Sequence, residues 1–292
     1  MRNQIDKAAV LLEALPYIQN FRGQTFLIKV GGSAMEDPGL VRGLLRDIVF
    51  LEAVGINPVL VHGGGKAISQ AMKDEGLQAR FLGGLRVTDD ATIGIVERTL
   101  DETINPLLVK QINELGGHAL GLSGKRVFVG RRTTGTDPRS GQALDLGFVG
   151  KVAGFETAPV IEAIADEKVP VISPIALEAD SGLTLNVNAD LAASALAGEL
   201  KVSKLVYLSD VLGVMRDPND AGTLMQTLRP ADIESLIGQE VINGGMIPKV
   251  RSAMEALELG VGKVHLIDGR IRHSLILEIF TDRGIGTEIV LE

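Results

Sequence analysis

The chain has 292 residues, 45% of them hydrophobic, and its formal net charge is −8. This length and composition indicate an ordinary globular protein with a sizeable core and exclude a disordered chain. The absence of cysteine excludes disulfides, thiol nucleophiles and Cys-ligated zinc. The acidic charge and the lack of a basic run argue against a nucleic-acid partner.

The sequence gives no sign of a membrane or secretory protein. No segment reaches the ~18 consecutive apolar residues that a membrane helix needs. Glu13 interrupts the apolar run of the first twenty residues, and no cleavage pattern follows it. We therefore expect a cytoplasmic protein with no membrane partner. The four histidines are scattered and predict no metal site.

Residues 2–18 have the periodicity of a helix, which Pro16 is predicted to end or kink. Two apolar stripes run along it: Ile5, Ala8, Ala9, Leu12 and Leu15 form one, and Val10, Ala14 and Tyr17 form the other. A terminal helix that is apolar on two sides is predicted to cover two surfaces.

From residue 26 onward, short apolar runs alternate with helical patterns. Strands are predicted at 26–30, 58–62, 126–130, 170–173, 183–187, 205–208, 264–267 and 288–291. Helices are predicted at 38–55, 66–75, 89–115 with a break near Pro106, 158–166, 190–200, 231–237, 248–259 and 271–280. This alternation predicts βαβ units, and hence an α/β fold with a central, mainly parallel sheet.

Two segments interrupt the alternation. Residues 130–150 are rich in Gly, Thr, Arg and Asp, which predicts a hairpin excursion with turns. Near 174–182, Pro174 and an Ala-Asp-Ser-Gly turn predict a boundary between lobes. The predicted division is therefore an N-terminal helix at 1–20, a lobe at 21–178 and a second lobe at 179–292.

Three glycine clusters are expected to stand at strand ends: Lys29–Ser33 (KVGGS), His62–Gly65 (HGGG) and Asn243–Met246 (NGGM). Parallel sheets bind ligands at the carboxyl ends of their strands, where glycine lets backbone N–H groups approach phosphate oxygens. Any one cluster is equally compatible with a tight turn, but three together favour anion binding. A Walker A loop does not fit, since Lys66 is followed by Ala67. A dinucleotide fingerprint does not fit either, because no G-x-G-x-x-G follows a predicted strand.

Four charged side chains lie beside these loops. Lys29 interrupts an apolar strand, and Lys249 lies in the first turn of a predicted helix, where the helix dipole disfavours a cation. Both placements favour an anionic ligand, although each lysine could also be an ordinary surface residue. Arg86, in a loop, suits a bidentate carboxylate contact. Asp190 would lie near bound phosphates and orient the lysines.

Two asparagines complete this group. Asn186 and Asn188 lie two residues apart and so share one face of a predicted strand. Asn188 and Asp190 equally suit the start of a helix, where such side chains cap the free N–H groups.

The motifs KVGGSAM, LVHGGG, GLRVTD, LNVNAD, YLSDVLGV, GGMIPKV and HLIDGR occur in the order found in N-acetylglutamate kinases, and nearly the whole chain resembles that family. The resemblance implies a three-layer αβα sandwich of the amino acid kinase fold, preceded by an N-terminal oligomerisation helix. It implies an acetylglutamate-binding lobe and then an ATP-binding lobe. The implied reaction is phosphorylation of the γ-carboxylate of N-acetyl-L-glutamate by ATP, in arginine biosynthesis. Mg²⁺ would be bound mainly through the nucleotide phosphates.

The resemblance also implies roles for single residues. Lys29 and Lys249 would stabilise the transferring phosphoryl group, and Asp190 would organise them. The implied acetylglutamate site comprises Gly64, Gly65, Arg86, Asn186 and Asn188. The implied ATP and phosphate site comprises Gly31, Gly32, Ser209, Asp210, Val211, Leu212, Gly213, Val214, Val241, Ile242 and Asn243. Many relatives have Pro at the position of Leu212, which concerns the adenine-side loop alone.

The chain end resembles the arginine-sensitive branch of the family. In that branch N-terminal helices join three dimers into a hexamer, and arginine inhibits by binding beside the helix. Tyr17, His273, Glu278 and Gly284 match its effector region. The resemblance leaves open whether a PII-type signalling protein docks on the chain.

Two alternatives stay open on the sequence. The first is another kinase of this fold, acting on carbamate, aspartate, glutamate, a uridylate or carrier-bound aminoadipate. The second is a non-catalytic sensor that binds arginine or acetylglutamate. The combination of Arg86 with Asn186 argues for a small acylated dicarboxylate, and the presence of Lys29, Asp190 and Lys249 together argues for catalysis.

Overall fold

The computed structural model describes residues 2–82, 84–136 and 142–291. Its helices are α1 (Arg2–Phe21), α2 (Pro38–Ala53), α3 (Gly65–Asp74), α4 (Asp90–Glu97), α5 (Asn105–Glu114), α6 (Ala158–Ala165), α7 (Ala189–Glu199), α8 (Pro230–Gly238), α9 (Met246–Glu258) and α10 (Ser274–Ile279). Its strands are β1 (Thr25–Val30), β2 (Asn57–His62), β3 (Phe81–Leu82), β4 (Leu85–Arg86), β5 (Ala119–Leu122), β6 (Phe128–Thr136), β7 (Ala143–Phe155), β8 (Val169–Ile172), β9 (Ile175–Glu178), β10 (Thr184–Val187), β11 (Lys204–Ser209), β12 (Thr227–Leu228), β13 (Lys263–Asp268) and β14 (Thr287–Ile289).

Eight strands form the central sheet in the order β12-β14-β13-β11-β1-β2-β8-β5. Every neighbouring pair is parallel except β13 with β14. The predicted mainly parallel α/β architecture is confirmed. Because β1 pairs with β2 on one side and β11 on the other, one sheet contains strands from both predicted lobes.

Successive side chains of β1 point to opposite faces of the sheet, and each face is covered by helices. Phe26, Ile28 and Val30 pack in one buried cluster with residues of α2 and α5. Leu27 packs in the other buried cluster with residues of α7 and α9. The alternation of a fully buried strand thus produces the helical layers on both faces.

A second set of strands, β10-β7-β6-β9, closes into a small barrel at the carboxyl edge of the sheet. Its antiparallel pair β6–β7 confirms the predicted hairpin excursion, although residues 137–141 of that excursion lie outside the described residues. The sequence did not predict β9, which occupies the segment chosen as the lobe boundary. The lobe division itself stays a prediction.

Helix α1 and the connection between α4 and α5 differ from the prediction. Helix α1 continues through Pro16 to Phe21, because Tyr17 and Phe21 pack against Phe280 and Phe26 and stabilise the last turn. In place of a break near Pro106, a π-helical turn spans Arg98–Ile104 and joins α4 to α5. Wider turns of this kind accommodate lost or displaced backbone hydrogen bonds.

The last helix is shorter than predicted. It begins at Ser274 because His273 adopts a left-handed backbone conformation with φ of 58°, which interrupts the helical path. Across the described ranges, no helix combines the length and the apolar character needed to cross a membrane.

Candidate active site

The centre of the site is an ion-pair triad at the carboxyl end of β1. Nζ of Lys29 lies 2.6 Å from Oδ1 of Asp190, and Nζ of Lys249 lies 2.9 Å from Oδ2 of the same carboxylate. Lys29 is 7% exposed. The three residues come from β1, from the first turn of α7 and from the first turn of α9. The sequence predicted these three side chains, and the fold brings them into contact.

Electrostatics keep the carboxylate ionised. Burial alone would raise the pKa of Asp190, but the ammonium groups of Lys29 and Lys249 outweigh it and lower the pKa to about 2. A single carboxylate shared by two ammonium groups leaves one positive charge in excess. That excess charge is available to an anionic ligand, and the triad is suited to stabilising negative charge that develops beside it.

The first two glycine loops lie next to each other because β1 and β2 are parallel neighbours. The expectation that the third cluster stands at a strand end was wrong, because it joins α8 to α9. The amide of Gly63 donates to the carbonyl of Val30 over 2.7 Å. A side chain at Gly31 would collide with the ammonium group of Lys29, so glycine lets this lysine fold back over its own loop. The loops thereby present backbone N–H groups beside the triad.

His62 determines how the second loop is oriented. Its Nδ1 lies 2.9 Å from the carbonyl oxygen of Gly63, and its Nε2 lies 3.3 Å from Nδ2 of Asn105. Because a carbonyl only accepts, Nδ1 donates, and Nε2 accepts from the amide of Asn105. Burial lowers the pKa of His62 to about 4, so the ring is neutral. In a trans peptide the N–H of Gly64 points away from the carbonyl of Gly63, so the bond to His62 fixes the direction of both groups; both glycines line the cavity.

Arg86 lies on the other side of this cavity. One terminal nitrogen donates to the carbonyl of Gly65 over 2.6 Å and to the hydroxyl of Ser69 over 2.8 Å, and the guanidinium lies over the ring of Phe81. The side chain is buried, and burial lowers the pKa of Arg86. Among the described residues, no carboxylate pairs with it. A buried guanidinium held in place without a counterion favours a carboxylate ligand.

The two asparagines have different roles. Nδ2 of Asn186 donates to the hydroxyl of Thr88 over 3.0 Å, and this hydroxyl donates to the carbonyl of Arg86. Asn186 and Arg86 are therefore positioned through one buried threonine. Asn188 caps α7: its side-chain oxygen accepts from the amides of Asp190 and Leu191. The capping alternative holds for Asn188, which also lines the cavity.

Two cavities meet at the triad. The first, of about 220 Å³, is lined by Lys29, Asp190, Arg86 and the glycines of both loops. The second, of about 350 Å³, is lined by Lys249 and mainly by apolar residues of the segments 210–218 and 241–246. The first cavity holds the guanidinium of Arg86, which has no carboxylate partner among the described residues, and therefore suits a small dianion. The second cavity is more apolar and suits an aromatic base.

Most of the predicted ATP segment lines the second cavity. Asp210, Val211, Gly213, Val214, Val241, Ile242 and Asn243 are among its lining residues. Leu212 is half-buried and does not line it, and Ser209 is buried at the end of β11 with its hydroxyl accepting from the amide of Val211. Gly31 and Gly32 line the first cavity instead.

Carboxylates are the protein ligands that Mg²⁺ prefers, and each cavity has one in its lining. Asp190 already bridges two ammonium groups. Asp210 lines the nucleotide-side cavity. Within the described ranges no three His, Asp or Glu side chains cluster in a way that could hold a metal. A magnesium ion would therefore be held mainly by the phosphates of a nucleotide, and Asp210 is the carboxylate that the lining of the second cavity offers it.

Among the predicted effector residues, Tyr17 lies in the C-terminal half of α1 and contacts the segment after α10. The hydroxyl of Tyr17 donates to the carboxylate of Asp282, and the ring of Tyr17 packs on Phe280. Glu278 is buried, and its Oε2 accepts from the amides of Ile285 and Gly286. A side chain on Gly284, which has φ of 60°, would lie 2.6 Å from that oxygen.

Glu278 and His273 each contact a residue that the sequence did not single out. Nδ1 of His265 lies 2.7 Å from Oε1 of Glu278. His273 instead contacts Asp47 over 2.6 Å. Sequence reasoning missed His265 because it lies in the middle of an apolar strand, where a buried structural histidine is the usual interpretation.

Sequence reasoning also missed Thr88 and Ser69. Both carry detectable signals: Ser69 is one helical turn after Gly65, and Thr88 is two residues after Arg86 on an extended segment.

The sequence model described as the Amino acid kinase family matches residues 24–268. A protein of Akkermansia muciniphila named acetylglutamate kinase is 54% identical over 288 residues, which cover 99% of this chain and 97% of that protein.

Two solved structures of N-acetylglutamate synthase from Neisseria gonorrhoeae share the fold over 98% of this chain. One, complexed with coenzyme A and N-acetyl-glutamate, has a TM-score of 0.84 and 27% identity. The other, complexed with coenzyme A and L-arginine, has a TM-score of 0.81 and 26% identity. The present chain spans 63% and 65% of those two longer chains.

Proposed function

We propose, because this chain belongs to the amino acid kinase family and within it to the acetylglutamate kinases, that it transfers the γ-phosphoryl group of ATP to the γ-carboxylate of N-acetyl-L-glutamate. The observation that carries the proposal is the triad of Lys29, Asp190 and Lys249 at the meeting point of two cavities. The acceptor would lie in the cavity of Arg86 and the nucleotide in the cavity of Lys249.

The acceptor needs no general base. A γ-carboxylate is ionised at neutral pH and attacks phosphorus directly, forming an O–P bond as the bond to the ADP leaving group breaks. Arg86 would bind the other carboxylate of the acceptor, and Asn186 would hydrogen-bond to its amide part. The free N–H groups at the start of α3, among them that of Gly64, would donate to the transferring phosphoryl oxygens.

The two lysines would stabilise the negative charge of the phosphoryl group during its transfer. Lys29 approaches from the acceptor side and Lys249 from the nucleotide side, so each ammonium group faces one partner of the reaction. Asp190 holds both in place and is not consumed. A bound magnesium ion would neutralise the nucleotide phosphates. Rate enhancement would then come from positioning and charge stabilisation, as is usual for phosphoryl transfer.

The test is an ATP assay with a panel of acceptors in the presence of hydroxylamine, which traps an acyl phosphate as a hydroxamate. We expect ADP release and hydroxamate formation with acetylglutamate. Activity with carbamate or aspartate in place of acetylglutamate would contradict the acceptor assignment. ATP and acetylglutamate binding without turnover would favour a sensor.

Arginine is the proposed inhibitor. Glu278 uses three acceptor positions, for His265 and for two backbone amides, out of the roughly four that a carboxylate offers. One position is left for a guanidinium. One of the Neisseria structures was solved with L-arginine, which supports an arginine-binding member of this fold. Arginine would bind near Tyr17, His273, Glu278 and Gly284 and lower the activity.

A hexamer is the proposed assembly. Val10, Leu11, Leu12 and Leu15 of α1 are exposed, while Ala14, Tyr17, Ile18 and Phe21 pack on the chain's own core. The apolar side of α1 left uncovered would pack on the same helix of a second copy and join dimers into a ring. Arginine bound beside that helix would favour one ring geometry over another.

A further inference from the structure

Beneath the triad lies a buried tyrosine that begins the motif YLSDVLGV but has no assigned role in it or in the proposed reaction. Tyr207 is 1% exposed in the middle of β11. It is the register partner of Lys29 on the neighbouring parallel strand. Register partners project from the same face of a sheet, so Tyr207 and Lys29 point toward the same helices, α7 and α9.

The hydroxyl of Tyr207 belongs to a three-atom cluster. It lies 2.6 Å from Oγ of Ser252 and 3.3 Å from the main-chain carbonyl oxygen of Asp190. Oγ of Ser252 lies 3.4 Å from the same carbonyl. Burial raises the pKa of Tyr207, so its hydroxyl keeps its proton and can donate. A buried tyrosine hydroxyl requires such partners.

The cluster joins the two helices that carry the triad. Asp190 lies in the first turn of α7, and Ser252 lies on α9 three residues after Lys249, on the same face of that helix. The carboxylate of Asp190 contacts both lysines on the ligand side, while its carbonyl contacts both hydroxyls on the core side. Without the cluster, only side-chain packing and the ion pairs of Asp190 would hold α7 and α9 at their present spacing.

We propose that Tyr207 is a positioning residue for phosphoryl transfer, because its hydroxyl, shared with Ser252 and the Asp190 carbonyl, fixes the placement of Lys249 relative to Lys29 across Asp190. It contacts no ligand and no reacting atom. The alternative is that two buried hydroxyls satisfy each other in the core with no effect on the reaction. The inference rests on the proposed kinase function.

The test compares kcat, KM and thermal stability for Tyr207→Phe, Ser252→Ala and the double variant of the full chain. Phe keeps the ring and removes only the hydroxyl. We expect each single variant to lower kcat about tenfold, because misplacement of reacting groups by a fraction of an ångström is costly to rate. KM for ATP and for the acceptor should stay within about twofold, since no ligand contact is lost. The double variant should lose no more kcat than either single variant.

Ser274→Ala is the matched control. Ser274 is as buried as Ser252, each being 2% exposed, and it lies on α10 away from the triad. Its loss should leave kcat unchanged. The kcat ratio is taken with the best acceptor of the panel, so an error in the acceptor assignment does not affect it.

Unchanged kcat in Tyr207→Phe, with a lower melting temperature, would overturn the proposal and favour the purely structural role. Independent, multiplying losses of kcat in the double variant would also contradict it. If Tyr207→Phe does not fold, Ser252→Ala decides the question alone, because it removes the second member of the same cluster.

Discussion

Among single residues, Lys29 and Lys249 are expected to have the largest effect on the proposed reaction, because together they leave one positive charge beyond that of Asp190. Lys29→Ala or Lys249→Ala removes that excess and leaves Asp190 with one ammonium partner. We expect kcat to fall on the order of 10²–10³-fold, by analogy with the loss of one oxyanion donor. Steady-state kinetics with both substrates measure the effect.

Lys66→Ala serves as the control for this prediction. Lys66 is exposed, lies just after the second glycine loop and pairs with Glu36 at the surface. Its loss should change kcat less than twofold. A Lys29 or Lys249 variant that keeps the wild-type kcat would remove that lysine from the mechanism.

His62 predicts a pH dependence of stability. Its pKa is about 4 when folded, against about 6.5 in an unfolded chain. Between these values the unfolded state binds the extra proton, so stability rises with pH. The contribution is complete above about pH 6.5 and is lost as the pH falls toward 4. At pH 5 the loss is about 2 kcal/mol.

The comparison that isolates this term is denaturant unfolding of the wild type and of His62→Asn at pH 7 and pH 5. Asn offers an amide in place of Nδ1 and does not titrate. We expect the difference in unfolding free energy between the two proteins to shrink at pH 5. A constant difference would mean that the pKa of His62 is the same in the folded and the unfolded protein.

The charged residues of the site were predictable because each broke a local rule. A lysine inside an apolar strand and a lysine at a helix start are both unfavourable without an anion. Other residues that contact the site or the effector region have no unfavourable placement in the sequence and were not predictable in this way. Tyr207, Ser252, Thr88 and His265 look like ordinary strand or helix residues, and their roles depend on distances that only the fold sets.

Among the elements, the π-helical turn between α4 and α5 is the one that shapes the second glycine loop. Leu100 and Ile104 of this turn lie within 2.8 Å of the position that a side chain on Gly64 would occupy. The next residue, Asn105, holds His62. The wider turn thus packs against Gly64, and the residue that follows it holds His62 of the same loop.

Gly64→Ala should therefore destabilise the protein by about 1–3 kcal/mol, the usual cost of overpacking a core. Gly65→Ala is the matched comparison, because a side chain there meets open space. Its melting temperature should equal or exceed that of the wild type, since alanine favours the start of α3. Equal stability losses in both variants would show that the turn does not pack tightly on Gly64.

The sequence predicted the strands that are buried apolar runs and missed two that are partly exposed. The interior strands β1, β2, β11 and β13 are mostly apolar and buried, and they were placed within one or two residues. The unpredicted strands β9 and β5 have four residues each and include exposed ones. The equally short β8 is buried throughout and was predicted. Packing also extended α1 past Pro16, which local propensity alone does not predict.

For the whole molecule, α1 links assembly to regulation in the proposed hexamer. Deletion of residues 1–18 removes the exposed leucines together with Tyr17. We expect the shortened chain to elute as a dimer, to keep its kcat and to be insensitive to millimolar arginine. Size-exclusion chromatography with light scattering and an arginine titration measure both properties.

The full-length chain gives the decisive control for that prediction. It should elute as a hexamer and lose activity as arginine is added. A full-length dimer, or a full-length enzyme indifferent to arginine, would contradict the proposed regulation without affecting the catalytic proposal.

The central position of β1 has a consequence for synthesis on the ribosome. This strand emerges early, yet its partner β11 is encoded almost 180 residues later, with Phe26 paired to Lys204. At roughly 5–20 residues per second, translation leaves one edge of β1 without its partner for about 10–35 s. Lys29 on that strand meets Asp190 and Lys249 only after most of the polypeptide has been made. Newly made chains would therefore depend on protection of an apolar strand edge during this interval, and activity would appear late and all at once.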